Sequence, residues 1–228
     1  MTPKKLVIVF SGILGSIGVL VSVVIIAVGG GFYANGPSIL NPPSSNDLWS
    51  AGDNVGNNSQ YKYLLTTAGL PAGSIIFMKF IEGSELFVQF EVETKQQSQI
   101  FNATLTKEHL AIEEFKDKKN LNLLKLIENS ILSIRDSTRE PKYLVVGAVW
   151  DSIYVGSSKI DVRVTGRENL NIPSGNFETF ILTYEIGGKT SKIYINKDMP
   201  LPVKAEVYDA SGNLQYKYEL LEKKSSSI

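Results

Sequence analysis

His109 is the only histidine among 228 residues, and the chain contains no cysteine. A Ser-His-Asp hydrolase would have to be built on His109. The G-x-S-x-G nucleophile turn is missing, and Gly156-Ser157-Ser158 does not supply it. His109 follows Glu108 in a polar stretch, which predicts a solvated surface position. One histidine and no cysteine exclude multi-histidine, thiolate and iron–sulfur metal sites, disulfides, and a cysteine-acylated anchor. Glu91, Glu93, Glu113 and Glu114 fall where a solvated strand or helix face would put them. Paired-acid glycosidase chemistry needs two carboxylates across a cleft, which sequence adjacency does not make. Asp117-Lys118-Lys119-Asn120 lacks the ligand spacing of a calcium loop, and there is no phosphate-cradling glycine motif. These residues predict no cofactor, no metal and no enzyme. What remains is modification: Asn57-Asn58-Ser59 and Asn102-Ala103-Thr104 are glycosylation acceptors on an extracytoplasmic segment, with Asn57 in the more open stretch.

The elements that would position these groups begin with charge. Lys+Arg and Asp+Glu are equal at 23 each, so no basic excess exists to track a phosphate backbone, and no nucleic-acid partner is expected. Residues 1–60 carry only Lys4, Lys5, Asp47 and Asp53 as charges. Leu6–Val28 is uncharged, and a helix rising 1.5 Å per residue over that length crosses a hydrocarbon core of about 30 Å. This predicts a cytoplasmic N-terminus (1–5), a transmembrane helix (6–28), and everything beyond outside, because the early lysines stay inside. The competing reading is a cleaved signal peptide, whose apolar core would run only about 7–15 residues. Ser11, Gly15, Gly18 and Ser22 recur on one helix face. Such a face suits close packing in the lipid bilayer, either as a homodimer or against a subunit of a membrane complex.

Residues 29–60 are rich in Gly, Pro, Asn and Ser and show no hydrophobic period, so they read as a flexible linker. Trp49 either pins it to the domain or is exposed. From 61 to 222 the dominant signal is alternation. Leu86, Val88, Phe90 and Val92 share one strand face, and further strands are predicted over 75–81, 99–106, 159–165, 177–186, 191–196, 202–208 and 214–221. Gly187-Gly188 signals a hairpin turn. Leu124, Ile127, Ile131 and Ile134 share a helix face, predicting a helix over 120–136 with Asn120 as its cap. The segment 108–115 fits helix or strand equally, and 223–228 reads as a disordered tail. The expected class is α+β: a strongly curved antiparallel sheet with the helix covering its apolar, concave face.

Asn171-Ile172-Pro173-Ser174-Gly175-Asn176-Phe177-Glu178-Thr179 resembles the "vPaGtFet" signature of a domain of unknown function in the lipoprotein-carrier-like (LolA/LppX-like) superfamily. Leu201-Pro202-Val203-Lys204-Ala205-Glu206-Val207 resembles its following strand. Val146-Gly147-Ala148-Val149-Trp150 and Tyr216-Lys217-Tyr218-Glu219-Leu220 are similar to flanking elements, and the likeness covers about 143–222. The resemblance implies an open half-barrel whose concavity holds acyl chains or another apolar ligand. Read physically, Pro173, Gly175, Phe177 and Pro202 are structural: a chain reversal, and a strand start that tolerates a missing N–H. The expected function is therefore a membrane-anchored, extracytoplasmic binding module. The alternative is an accessory subunit of a membrane complex.

Overall fold

The computed structural model describes residues 44–224. The predicted transmembrane segment, with its Ser11/Gly15/Gly18/Ser22 face, lies outside them. Among the described residues no helix is long and apolar enough to cross a membrane.

The first strand, β1 (Leu48–Trp49), pairs antiparallel with β7 (Lys142–Tyr143), and Leu144 N donates to Asp47 O at 2.8 Å. Over this stretch the expectation of a flexible linker does not hold. Trp49 is 0 % exposed, stacks on Trp150 at 5.9 Å, and donates Nε1–H to Met199 O at 2.9 Å. Gly52 N donates to Pro200 O at 2.9 Å. Composition misled because one large aromatic with a satisfied indole N–H outweighs a polar neighbourhood. A domain cut at residue 61 would lose this core residue.

All the other strands form one open antiparallel sheet in two meanders. The first is β2 (Gln60–Thr67), β3 (Ser74–Glu82), β4 (Leu86–Glu93), β5 (Ser98–Leu105) and β6 (Ile112–Glu114). The second is β8 (Val149–Val155), β9 (Ser158–Ile172), β10 (Gly175–Ile186), β11 (Lys189–Ile195), β12 (Lys204–Tyr208) and β13 (Leu214–Lys224). The meanders join side by side where β2 pairs with β13, Tyr63 opposite Leu220 and Leu65 opposite Tyr218, so β6 and β8 are the edges. Period-two alternation buries one face along the central strands. It carries Tyr61, Tyr63 and Leu65 on β2, Ile76, Met78 and Phe80 on β3, and Tyr216, Tyr218 and Leu220 on β13.

Several boundaries differ from expectation. The ambiguous 108–115 segment is a turn followed by β6. The seven-residue strand β8 is absent from the alternation pattern, because a bulge between Val149 and Asp151 breaks its period. Lys223 and Lys224, expected in the tail, pair with Tyr61 and Gln60.

The expected single helix over 120–136 is broken into three pieces. A 3-10 turn at Lys118–Asn120 leads into α1 (Leu121–Glu128), and a second 3-10 turn follows at Ser133–Thr138. The break follows from Ser130, whose hydroxyl donates to Leu126 O at 2.6 Å and competes with the helical ladder. Asn120 occupies the N-cap position of α1 as expected but makes no side-chain capping bond, and Asp117 caps the 3-10 turn before it. Asp117 Oδ1 accepts the Lys119 and Asn120 amides, and Asn120 Nδ2 donates to Asp117 Oδ2 at 2.6 Å. The predicted apolar stripe survives: Leu124, Ile127, Ile131 and Ile134 are all buried. This segment connects the two sheet edges, and it touches the buried face where the Ser133 and Tyr216 hydroxyls meet at 2.8 Å.

Candidate functional site

The signature residues lie together at the tip of a long arm. β10 pairs with β11 only from Phe180 onward, so 175–179 and the facing part of β9 run beyond the sheet's shorter strands. A bulge at Ile181/Leu182, where Thr165 is the extra residue on β9, bends the arm. The turn is Pro173-Ser174, with Ile172 opposite Gly175. Gly175 has φ of 130°, a conformation that favours glycine. Ser174 Oγ donates to Leu220 O at 2.9 Å, latching the tip to β13 beside that strand's own bulge. Phe177 is half-buried against the core, opposite Leu170. Pro202 is buried two residues ahead of β12, and its carbonyl accepts from Tyr63 Oη at 3.2 Å. Pairing begins at once after it, since Val203 N donates to Tyr194 O at 2.9 Å.

Both sequon asparagines are exposed. Asn57 Oδ1 accepts the Glu82 amide at 3.1 Å, and Asn102 stands on β5 opposite Gln89. The sequon hydroxyls Ser59 and Thr104 are buried. His109, expected in solvent, is half-buried, and its Nδ1 is enclosed without a partner. The left-handed Leu110 (φ 52°) turns the chain inward and takes this neighbour with it. The residues of the signature do not converge with His109 or with any carboxylate pair, and among the described residues no cluster of metal-ligating side chains occurs.

Residues of the sheet and of the helical segment instead line an open groove of about 330 Å³. Its floor is Ile153, Val162, Leu182, Ile193 and Val207, one residue from each of β8 to β12. Tyr216 of β13 and Tyr184 of β10 add ring surface, and Ile134 covers the floor from the helical side. Burial raises the Tyr216 hydroxyl well above the ordinary tyrosine range, against the opposing hydrogen bond from Ser133, so it stays protonated. The rim is polar and carries Glu128, Asp136 and Asp151. Arg135 pairs with Glu128, both mostly buried, and donates Nη1–H to Leu110 O at 3.2 Å. Sequence reasoning named none of these groove residues as a site. The signal present was the series of aliphatic inward positions Val162, Leu182, Ile193 and Val207 on successive strands of the second meander.

A second hollow, of about 380 Å³, lies near the β6 edge, beside the exposed Phe87 and Ile100 and flanked by Glu114, Lys116 and Asp117.

No family model matches the chain, and no curated protein matches it. Some solved structures are similar at low superposition. A chain assigned as exported, with a YmcC-like fold, from Bacteroides fragilis is 14 % identical, with a TM-score of 0.38 over 78 % of this chain and 99 % of its own. The Pseudomonas aeruginosa MucA/MucB complex structure gives 12 % identity and a TM-score of 0.42 over 78 % of this chain. This chain spans about half of that one, 54 % of its length. A chain assigned as a lipoprotein from Parabacteroides distasonis gives 12 % and 0.40, over 77 % of this chain and 99 % of its own. Superposition at this level brings neither activity nor partner to this chain.

Proposed function

We propose that this is a membrane-anchored, extracytoplasmic binding module with no catalytic chemistry of its own, of the lipoprotein-carrier-like kind. Residues 1–5 lie in the cytoplasm, 6–28 span the cell membrane, 29–43 tether, and the β domain from 44 onward stands outside. Asn57 and Asn102 are then its accessible glycosylation acceptors. The helical segment covers the concave face of the sheet, and the space left between them holds a small apolar ligand, lipid or lipid-like. The observation that carries this reading is the groove itself. Its aliphatic floor is contributed strand by strand from β8 to β12, with a volume at the lower end of the roughly 300–1,000 Å³ usual for ligand pockets. Native mass spectrometry of the full-length protein, released from its own membrane, is the test. A discrete apolar adduct that Val207→Phe abolishes is the expected outcome. An empty wild-type protein that stays empty when offered alkyl ligands would sink the reading.

One observation favours a second reading, an accessory subunit of a membrane complex or a homodimer. Phe87 and Ile100, which line the second hollow, are exposed at 44 % and 57 %, and Ile81, opposite Phe87 on β3, at 40 %. A mild-detergent pulldown would retain partners that Phe87→Lys or Gly15→Leu releases. A lone monomer in both forms would end this reading.

A further inference from the structure

The groove's charge pattern selects among apolar ligands, a selection that rests on the proposed binding function. Glu128, Asp136 and Asp151 line the groove, while no Lys, Arg or His does. Glu128 is neutralised by Arg135. Asp136 meets Arg139 at only 3.6 Å, with both side chains largely exposed, so solvent weakens that pair. Asp151 is exposed, and its Oδ1 accepts the Ser152 amide at 2.7 Å, which leaves its charge uncancelled. Two carboxylates therefore direct a negative field over a hollow with a polar rim and an aliphatic floor. The rings of Tyr184 and Tyr216 add to it, because an aromatic face attracts a cation. Tyr216 is held in place by its hydroxyl bond to Ser133 and by stacking on Tyr218 at 5.9 Å. A fatty-acid carboxylate entering this rim would meet like charge, whereas an ammonium group would meet two carboxylates and two rings.

We propose that the groove binds an amphiphile with an ammonium head on an apolar chain, the head lying between Asp151, Asp136 and the two tyrosines and the chain lying on the aliphatic floor. Octyltrimethylammonium, octanoate and octanol share a chain and differ in the head, so they separate the contributions. Isoleucine-methyl NMR of the full-length protein in zwitterionic nanodiscs reads the groove locally through Ile134, Ile153 and Ile193. Octyltrimethylammonium is expected to move these methyls at a concentration about tenfold or more below octanol, with octanoate weakest. The double substitution Asp136→Asn, Asp151→Asn changes two exposed side chains and leaves the core untouched. It is expected to remove most of the ammonium preference and bring octanoate toward octanol. Added salt should weaken the ammonium ligand and spare octanol. Octanoate binding as tightly as the ammonium, or an undiminished preference in the double variant, would overturn the proposal while leaving the groove a binding site. If none of the three ligands moves the methyls, the binding reading itself fails.

Discussion

The two meanders share one sheet and one pattern of alternation, yet they fill their buried face differently. In the first, Tyr61 meets Phe80 edge-on at 5.7 Å, Phe90 stacks on Phe101 at 5.3 Å, and Phe115 closes on Phe101 at 5.9 Å. In the second, whose buried rings are Trp150, Phe180, Tyr216 and Tyr218, the aliphatic Val162, Leu182, Ile193 and Val207 line the groove. Aromatic side chains reach across and close the space, while β-branched and aliphatic ones leave a hollow between sheet and helix. A ring-packed stretch and a groove with an aliphatic floor thus come from the same period-two code. The difference lies in side-chain volume, not in polarity pattern.

Cavity formation should break the comparison most sharply if it is wrong. Phe90→Ala empties a filled site and is expected to cost about 3–5 kcal/mol by denaturant unfolding. Val207→Ala merely widens an existing hollow, and about 1–2 kcal/mol is expected from the methyl groups removed. Equal costs would mean the halves are packed alike. Added volume should show the opposite asymmetry. Val88→Phe overpacks the first meander, where Val88 is fully buried and lines neither hollow, and is expected to cost about 1–3 kcal/mol, whereas Val207→Phe occupies the groove for less than about 1 kcal/mol. The arm of the second meander gives a smaller effect. Ser174→Ala removes the bond to Leu220 O and should cost about 1 kcal/mol, with faster amide exchange confined to 166–180.

The smallest effect is electrostatic. The Arg163 guanidinium, then the Lys159 ammonium, holds the Asp161 carboxyl below its usual range. The Asn213 amide does so for Asp209, and the Tyr208 hydroxyl followed by Lys217 for Glu206. All three lie in the second meander. Their lowered folded values contribute stability that is present above the ordinary carboxylate range and lost as pH falls through those values, below about pH 4. Hydrogen exchange in acid should therefore rise first in β9–β13. The buried Tyr63, Tyr216 and Tyr218 work in the other direction. Burial raises them, so the stability they contribute is lost only as pH climbs beyond about 10.

Much of the fold was legible in sequence where one face is wet. Leu86-Val88-Phe90-Val92 marks β4 because an exposed face demands polar residues between buried ones. The Gly187-Gly188 turn was legible because both residues have positive φ, and a Cβ on Gly187 would collide with the Gly212 backbone. The helix break at Ser130 was not, since a serine hydroxyl can face solvent or bond back to the ladder, and only packing decides which. β8 was hidden by its bulge. The groove was illegible for a further reason: its residues come from six strands and from the helical segment, at separations only the register sets.

By sequence alone, the single histidine and the missing cysteine already removed thiol chemistry and multi-histidine or thiolate metal sites, because those require particular atoms to be present. The alternation likewise determined which residues of the regular strands turn inward, since side-chain direction has a period of two. The tertiary structure alone decided that Trp49 belongs to the core, that the signature turn latches onto β13, and that a hollow with an acidic rim opens over the second meander. Those outcomes depend on which volumes meet across the sheet. Volume is complementary only between partners that the chain itself does not place next to each other.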